Sequence, residues 1–413
     1  MEKLALVKKI FNNKERNILI FSQILNGILG LVLGKTIAVF FTAEEFGFFN
    51  LQFALYTFFF SFFLAPFLQY MKVYINKENF SLLGFSYPAR IFFSLFAFCA
   101  ISIIVLFIIF YKSDFTLALI VLTTLLFNFL FNLYTDYFNL KGNLTIFSYS
   151  NIIKSIVSLI VVFFFYKVVK ASSIHVLWLV QLLGFFMGIV FFYKHYKFFF
   201  VKKIQYKFNE LLNDYLKYTW PLMLLAFWGW VNSYVDRYII GYYMQTKDVG
   251  IYNANLGLGS KVFLLLNPIF LALITPSIFS SNYGLTEKKK IIIKYSLVYA
   301  GVAFFILSVL YFGHDFFGIL LLSKNYQEGF YIIFWSALAY YFLTSSYIFE
   351  VYFYAHNKTK VILFTNIASA LVSIVINFIL IPRLGLTGAA FGLVTGTLAK
   401  YIITCLIFRN LKE

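Results

Sequence analysis

The chain has 413 residues, of which 62% are hydrophobic and only 12% are charged, whereas roughly a quarter of the residues in an ordinary globular domain are charged. This composition excludes a soluble fold and provides enough apolar sequence for about twelve membrane-spanning helices of roughly 20 residues each. Because anionic headgroups attract basic segments, the net charge of +18 predicts contact with membrane lipids and argues against a nucleic-acid partner.

Twelve apolar stretches follow one another along the chain and predict an all-α, polytopic membrane protein. Continuous runs of this length favour spanning helices over the alternating strands of a barrel. The first stretch follows a basic leader without a cleavage site, so we expect it to stay in the mature protein. The stretches cover residues 18–41, 48–71, 88–110, 115–138, 144–166, 174–193, 218–241, 250–280, 291–312, 329–354, 361–381 and 386–408.

The distribution of basic residues between the stretches predicts the orientation of the chain. If the N-terminus is cytoplasmic, most of the 34 Lys and Arg residues fall in cytoplasmic connections, as the positive-inside rule requires. Both termini are therefore expected in the cytoplasm.

The external connections are too short for a catalytic domain, and the sequence shows neither a P-loop nor paired metal-ligand spacing. We predict no catalytic residues and no metal site.

The two halves of the chain resemble each other. Glu45-Phe-Gly47-Phe-Phe-Asn50 follows the first stretch and matches Asp248-Val-Gly250-Ile-Tyr-Asn253 after the seventh. Six helices in each half imply parallel repeats with the same orientation. We predict two six-helix lobes, residues 1–205 and 206–413, around a central cavity. Further matches at offsets of about 202–215 residues pair Lys35 with Arg237, Asp136 with Glu350, Asn151 with Asn366, Ser158 with Ser373, Gly184 with Gly392, and Gly188 with Gly396.

Five cations lie inside the predicted spans. At roughly 3 kcal/mol each, five lipid-facing cations would cost on the order of 15 kcal/mol, as much as the stability of a whole protein. We therefore expect most of them to face water or an anion inside the bundle. Lys35, Lys154, Arg237 and Lys261 are the candidates for binding an anionic substrate, and Lys400 is the fifth cation. For several of them, snorkelling to the headgroups is the alternative.

Four further polar residues are candidates for binding a coupling ion or for lining the cavity: Asp136, Asp236, Glu350 and Asn232. Asn232 and Asp236 are four residues apart, so they project from one helix face. Intramembrane carboxylates bind coupling protons or sodium ions in pumps. The alternatives are that Asp236 neutralises a cation on a neighbouring helix, and that Asp136 and Glu350 are solvated boundary residues paired with basic neighbours.

Three motifs spread along the chain carry a family resemblance: Glu45-Phe-Gly47-Phe-Phe-Asn50; Asp236-Arg237-Tyr-Ile-Ile-Gly241 followed by Val249-Gly250-Ile-Tyr252; and Asn377-Phe-Ile-Leu-Ile-Pro382-Arg-Leu-Gly385-Leu-Thr-Gly388-Ala-Ala390. They resemble motifs of the O-antigen and polysaccharide repeat-unit flippases, within the multidrug/oligosaccharidyl-lipid/polysaccharide exporter superfamily. The resemblance runs from the first predicted helix to the twelfth. Peptidoglycan-precursor flippases are similar but usually have fourteen helices, which argues against that assignment.

The resemblance implies a flippase that moves undecaprenyl-diphosphate-linked oligosaccharides across the bacterial cytoplasmic membrane by alternating access. It also implies that the cations neutralise the diphosphate and that a polysaccharide polymerase and a chain-length regulator are partners. We expect no cofactor, and a proton or sodium ion is the candidate for a coupling ion at the carboxylates. One alternative is an ion-coupled multidrug exporter, against which the embedded cations argue. Another is a membrane polysaccharide polymerase, for which neither a long external loop nor paired catalytic carboxylates are visible.

Overall fold

The computed structural model describes residues 14–77, 87–169, 173–195 and 208–410. All regular structure within these ranges is helical, which confirms the predicted all-α class. The described residues form twelve long helices, numbered here in chain order. The first six are α1 Lys14–Phe40; α2 Ala43–Phe59, continued by a π-helical segment Phe60–Leu64 and by Ala65–Lys77; α3 Tyr87–Tyr111; α4 Phe115–Leu140; α5 Leu144–Phe164, continued by a π-helical segment Phe165–Val169; and α6 Ile174–His195. The others are α7 Phe208–Tyr243, α8 Thr246–Phe279, α9 Leu285–Leu321, α10 Tyr331–Ala355, α11 Thr359–Leu384 and α12 Leu386–Asn410, with a short 3₁₀ helix, Lys324–Gly329, before α10.

The helices have the length and composition of a multi-pass membrane protein. Within the described part of the chain, 11 helices are long and apolar enough to cross a bilayer. The exception is α7, which spans 36 residues but whose apolar run is interrupted by Trp, Tyr and charged side chains.

Several helices are longer than the apolar stretches that predicted them. Helix α9 has 37 residues, which at 1.5 Å per residue corresponds to about 55 Å, well above the roughly 30 Å of a bilayer's hydrocarbon core. The predicted stretch 291–312 was short at both ends. An apolar pattern marks what can lie in the membrane, whereas backbone hydrogen bonding and capping decide where a helix ends.

The chain divides into two compact units. The first unit contains residues 1–37 and 52–227, and the second contains residues 38–51 and 228–413. The unit boundaries thus fall within α1, α2 and α7. The boundary predicted between residues 205 and 206 lies outside the described residues.

Helices α2 and α8 start with matching caps. The backbone N–H of Thr42 donates to Glu45 Oε2 at 2.9 Å, and the N–H of Glu45 donates to Thr42 Oγ1 at 3.2 Å. At the start of α8, the N–H of Gln245 donates to Asp248 Oδ2 at 3.0 Å. The acidic residues matched by the sequence repeat therefore cap matched helix starts.

The same two helices cross in the second unit at the repeated glycines. A Cβ on Gly47 would clash with Thr246 O and lie 2.8 Å from Gly250 N, and a Cβ on Gly250 would clash with Ala43 O and lie 2.9 Å from Gly47 N. Only glycine leaves room for this approach of two backbones. The contact is reciprocal, because each helix meets the other with the equivalent residues, and this supports the predicted repeat.

Glycines also pack the last two helices of each half. A Cβ on Gly396 of α12 would lie 2.7 Å from Ser373 Cβ on α11, and one on Gly184 of α6 would lie 2.5 Å from Ser158 Oγ on α5. Ser158 and Ser373 are paired by the sequence repeat, so equivalent helix pairs use equivalent serines for close packing.

One exposed cap joins α4 to α6 in the first unit. Asp114 Oδ1 accepts a hydrogen bond from the backbone N–H of Leu117 at 2.9 Å and lies 3.1 Å from Nε2 of His175. The Leu117 N–H, together with His175, lowers the pKa of the Asp114 carboxyl below its ordinary value. The anionic form of this cap is thereby favoured.

Candidate functional site

Helix α7 carries the adjacent charged residues Asp236 and Arg237 in the second unit. The carboxylate of Asp236 is buried; its Oδ2 accepts a hydrogen bond from the Tyr252 hydroxyl on α8 at 2.6 Å, and its Oδ1 accepts one from the backbone N–H of Arg237 at 2.8 Å. Both oxygens are therefore engaged by uncharged donors. The alternative that Asp236 neutralises a cation on a neighbouring helix is wrong for the described residues, because none forms an ion pair with it.

The guanidinium of Arg237 lies against an aromatic ring. Its Cζ is 4.4 Å from the ring centroid of Tyr234, a cation–π contact from the same turn of α7. Its Nε is buried without a hydrogen-bond partner, and no carboxylate of the described residues forms an ion pair with it. Arg237 is thus a half-buried cation that forms no ion pair with a carboxylate of the described residues.

Lys154 has a comparable environment in the first unit. Its Nζ lies 4.1 Å from the ring centroid of Phe185 and 5.3 Å from that of Phe131. Over the described ranges, Lys154 forms no ion pair. Its charge is therefore accommodated by aromatic faces.

Lys400 is neutralised by a carboxylate. Its Nζ lies 2.9 Å from Glu350 Oε1, and the two side chains are only 2% and 7% exposed. The same Nζ donates to Asn366 Oδ1 at 2.9 Å and lies 4.8 Å from the Tyr347 ring centroid. Glu350 is paired with a basic residue, as one alternative held, but it is buried instead of solvated.

Asn232 contacts the same cluster. Its Nδ2 donates to the backbone carbonyl of Asn366 at 3.0 Å. The cluster therefore joins α7, α10, α11 and α12, and it contains two of the predicted polar candidates, Asn232 and Glu350.

Asp136 pairs with Lys72 in the first unit. Lys72 Nζ lies 3.0 Å from Asp136 Oδ1, with side-chain exposures of 30% and 22%. The pair links α2 to α4. A partly exposed pair of this kind contributes little to stability, and the pairing agrees with the boundary alternative for Asp136.

The remaining predicted cations, Lys35 on α1 and Lys261 on α8, are half-buried. Each unit therefore holds two of the four predicted substrate-binding cations: Lys35 and Lys154 in the first, Arg237 and Lys261 in the second.

Sequence reasoning did not predict the side-chain contacts that hold these charges. Tyr252 holds Asp236, and Tyr234 supports Arg237. The sequence did contain a signal for Tyr252, because it ends the Val249-Gly250-Ile-Tyr252 motif. In the described ranges, no group of three or more His, Cys, Asp or Glu side chains could hold a metal ion.

The sequence matches the model of a protein family. A family model for polysaccharide biosynthesis proteins matches residues 14–282, which is more than half of the chain. Among curated proteins, no sequence matches the chain.

Several solved structures share the fold. The lipid II flippase MurJ in an inward closed conformation superposes with a TM-score of 0.68 at 14% identity, over 96% of this chain and 88% of MurJ. An inward-facing multidrug resistance MATE transporter of the MOP superfamily gives a TM-score of 0.67 at 11% identity, over 93% and 94% of the two chains. A mutant of the Vibrio cholerae MATE transporter VcmN gives 0.62 at 13%, over 98% and 96%. The fold is therefore that of membrane flippases and transporters.

Proposed function

Because this chain belongs to the polysaccharide biosynthesis protein family, we propose that it is a flippase for undecaprenyl-diphosphate-linked oligosaccharide repeat units. It would move them from the cytoplasmic to the outer leaflet of the bacterial inner membrane, for O-antigen or another surface polysaccharide. The observation that carries the proposal is that Arg237 and Lys154 rest on aromatic rings and form no ion pair in the described structure.

The charge of the headgroup explains why such cations are useful. A diphosphate is strongly solvated and cannot cross hydrocarbon without compensation, while an unpaired cation inside the membrane is itself costly. Contact between the diphosphate and the cation lowers the desolvation cost of each and forms charge-assisted hydrogen bonds. An aromatic face stabilises a cation only modestly, so the cation stays available for a phosphate. In this proposal Arg237 and Lys154 supply such cations during alternating access.

The contacts of the acidic residues argue against export of a cationic drug. A cationic substrate would need an available carboxylate, yet Glu350 is paired with Lys400, Asp136 with Lys72, and Asp236 accepts from Tyr252. Asp136, Asp236 and Glu350 remain our candidates for coupling to a proton or sodium ion, a role that requires each carboxylate to release its present partner. The proposal places the protein in the inner membrane with both termini in the cytoplasm, beside a polysaccharide polymerase and a chain-length regulator.

The experiment is complementation of a deletion strain with Arg237→Ala and Lys154→Ala. We expect each variant to reduce surface polysaccharide at least about tenfold, because each removes a compensating charge worth more than about 1.4 kcal/mol in the transport barrier. The charge-preserving Arg237→Lys and Lys154→Arg should retain part of the activity. Lys247→Ala is the matched control, because Lys247 is exposed and already paired with Glu328.

Membrane abundance must be equal by immunoblot, and repeat units should accumulate on the inner face of the membrane. Wild-type polysaccharide from Arg237→Ala, Lys154→Ala and the double variant would overturn the proposal. Flipping in proteoliposomes under an imposed pH or sodium gradient identifies the coupling ion, and flipping that responds to neither gradient removes ion coupling.

A further inference from the structure

Arg237 has a competitor for its anionic ligand beside it in the sequence. Asp236 precedes it directly, and a carboxylate free to rotate toward a guanidinium in a low-dielectric site would pair with it. Such an internal pair would neutralise the charge that the proposed function assigns to the diphosphate. The structure therefore has to keep the two side chains apart.

Tyr252, on α8, holds the Asp236 carboxylate by a hydrogen bond. Its hydroxyl donates to Asp236 Oδ2 at 2.6 Å, and both residues are buried. A hydrogen bond this short to a carboxylate is of the strong, charge-assisted kind. The second oxygen accepts from the Arg237 backbone N–H at 2.8 Å, so both carboxylate oxygens have uncharged donors and neither forms an ion pair with the guanidinium.

The guanidinium is held by a different residue. Tyr234 lies beneath it, with its ring centroid 4.4 Å from Arg237 Cζ, and the buried Nε has no hydrogen-bond partner. The Asp236 carboxylate thus contacts a tyrosine on α8, and the Arg237 guanidinium contacts a different tyrosine on α7.

The first repeat offers an internal comparison. At the repeat offsets, Lys35 is equivalent to Arg237, Gly34 to Asp236, and Phe49 to Tyr252. The first repeat therefore has the cation but neither the adjacent carboxylate nor the hydroxyl. The hydroxyl is present in the repeat that has a carboxylate to restrain.

We propose that Tyr252 is a positioning residue for substrate binding: its hydroxyl keeps Asp236 turned toward α8 and so keeps the guanidinium of Arg237 available for a diphosphate. The inference rests on the proposed function, because it takes Arg237 as a diphosphate-binding residue. It assigns no contact between Tyr252 and the substrate.

The test measures binding of farnesyl diphosphate, a short polyprenyl diphosphate, to the purified full-length protein in nanodiscs by isothermal titration calorimetry. We expect Tyr252→Phe to weaken binding about tenfold, which corresponds to about 1.4 kcal/mol, because the released carboxylate pairs with Arg237. Asp236→Asn removes the competitor and should strengthen binding. The double variant Tyr252→Phe/Asp236→Asn should regain at least wild-type affinity.

Tyr299→Phe is the matched control. Tyr299 is also buried, and its hydroxyl makes a hydrogen bond of the same length, 2.6 Å, to Thr344 Oγ1, but no carboxylate is involved. We expect its affinity to equal that of the wild type. Thermal unfolding of every variant separates lost binding from lost folding, since a purely structural hydroxyl would lower the melting temperature without changing affinity at temperatures where the protein is folded.

The outcomes separate the inference from the proposed function. If Tyr252→Phe binds like the wild type, or if the double variant stays as weak as Tyr252→Phe, the positioning role is overturned. If Arg237→Ala binds farnesyl diphosphate like the wild type, the assignment of Arg237 in the proposed function fails as well. Loss of binding in Arg237→Ala with normal binding in Tyr252→Phe removes the inference alone.

Discussion

The pair formed by Lys400 and Glu350 is buried so deeply that neither charge can be relieved by water. Taking an ion out of water costs several kcal/mol, and a buried pair recovers this only through close contact and further hydrogen bonds. Lys400 has both, since its Nζ lies 2.9 Å from Glu350 Oε1 and donates to Asn366 Oδ1. The energetic role of the pair is therefore mutual, and each member is needed because the other is present.

This mutual role predicts the outcome of a double-mutant cycle. Lys400→Met or Glu350→Gln alone should lower the free energy of unfolding by about 3–5 kcal/mol, since each leaves a buried group without its partner, whereas Lys400→Met/Glu350→Leu should be much closer to the wild type. Denaturant unfolding in detergent micelles measures all three. Single variants within about 0.5 kcal/mol of the wild type would show that the pair is not buried as described.

At the residue scale, the sequence identified charges more successfully than their environments. It selected Arg237 and Glu350 because a charge in an apolar run is expensive wherever it points. It could not place Tyr252 beside Asp236 or bury Glu350 against Lys400, because those contacts depend on how separate helices pack and on the rotamers that this packing allows. Lys400 illustrates the limit, since the sequence left it out of the substrate-binding candidates but could not show that Glu350 neutralises it.

Among the helices, the crossing of α2 and α8 depends most on single residues. A Cβ on Gly250 would clash with Ala43 O, and a Cβ on Gly47 would clash with Thr246 O. Both oxygens belong to the backbone, so they cannot rotate away as a side chain could. Gly250→Ala and Gly47→Ala should each lower the free energy of unfolding by about 1–3 kcal/mol, the usual cost of overpacking.

A second glycine of α8 provides the control. A Cβ on Gly257 would meet nothing within 4 Å, so Gly257→Ala should be neutral or gain up to about 1 kcal/mol from helix propensity. Melting temperatures of the three variants in one detergent make the comparison. Equal melting temperatures for Gly250→Ala and Gly257→Ala would contradict the tight crossing.

The helices themselves were predictable from the apolar stretches, because twenty apolar residues in succession have few alternatives to a spanning helix. Their ends were less so. Helix α9 begins at Leu285, with polar residues that no apolar pattern includes, and the π-helical segments of α2 and α5 leave no pattern in hydrophobicity at all.

For the whole molecule, the orientation that the basic residues in the connections predict can be measured. With the N-terminus inside, the connection before α9 is cytoplasmic and the one before α10 is external. Alkaline phosphatase fused after Ser323 should be active, and the same enzyme fused after Asn282 should be inactive, because it folds only after export. A fluorescent protein fused to the C-terminus should fluoresce. The opposite pattern would reverse the orientation and, with it, the proposed direction of transport.

The reciprocal glycine contact also limits how the sequences of the two repeats can diverge. Gly47 leaves room for the backbone of α8, and Gly250 leaves room for the backbone of α2. A larger residue at either position would push the two helices apart, and the other position would then no longer need a glycine. Positions 47 and 250 should therefore covary among homologous sequences, so that either both remain glycine or both change.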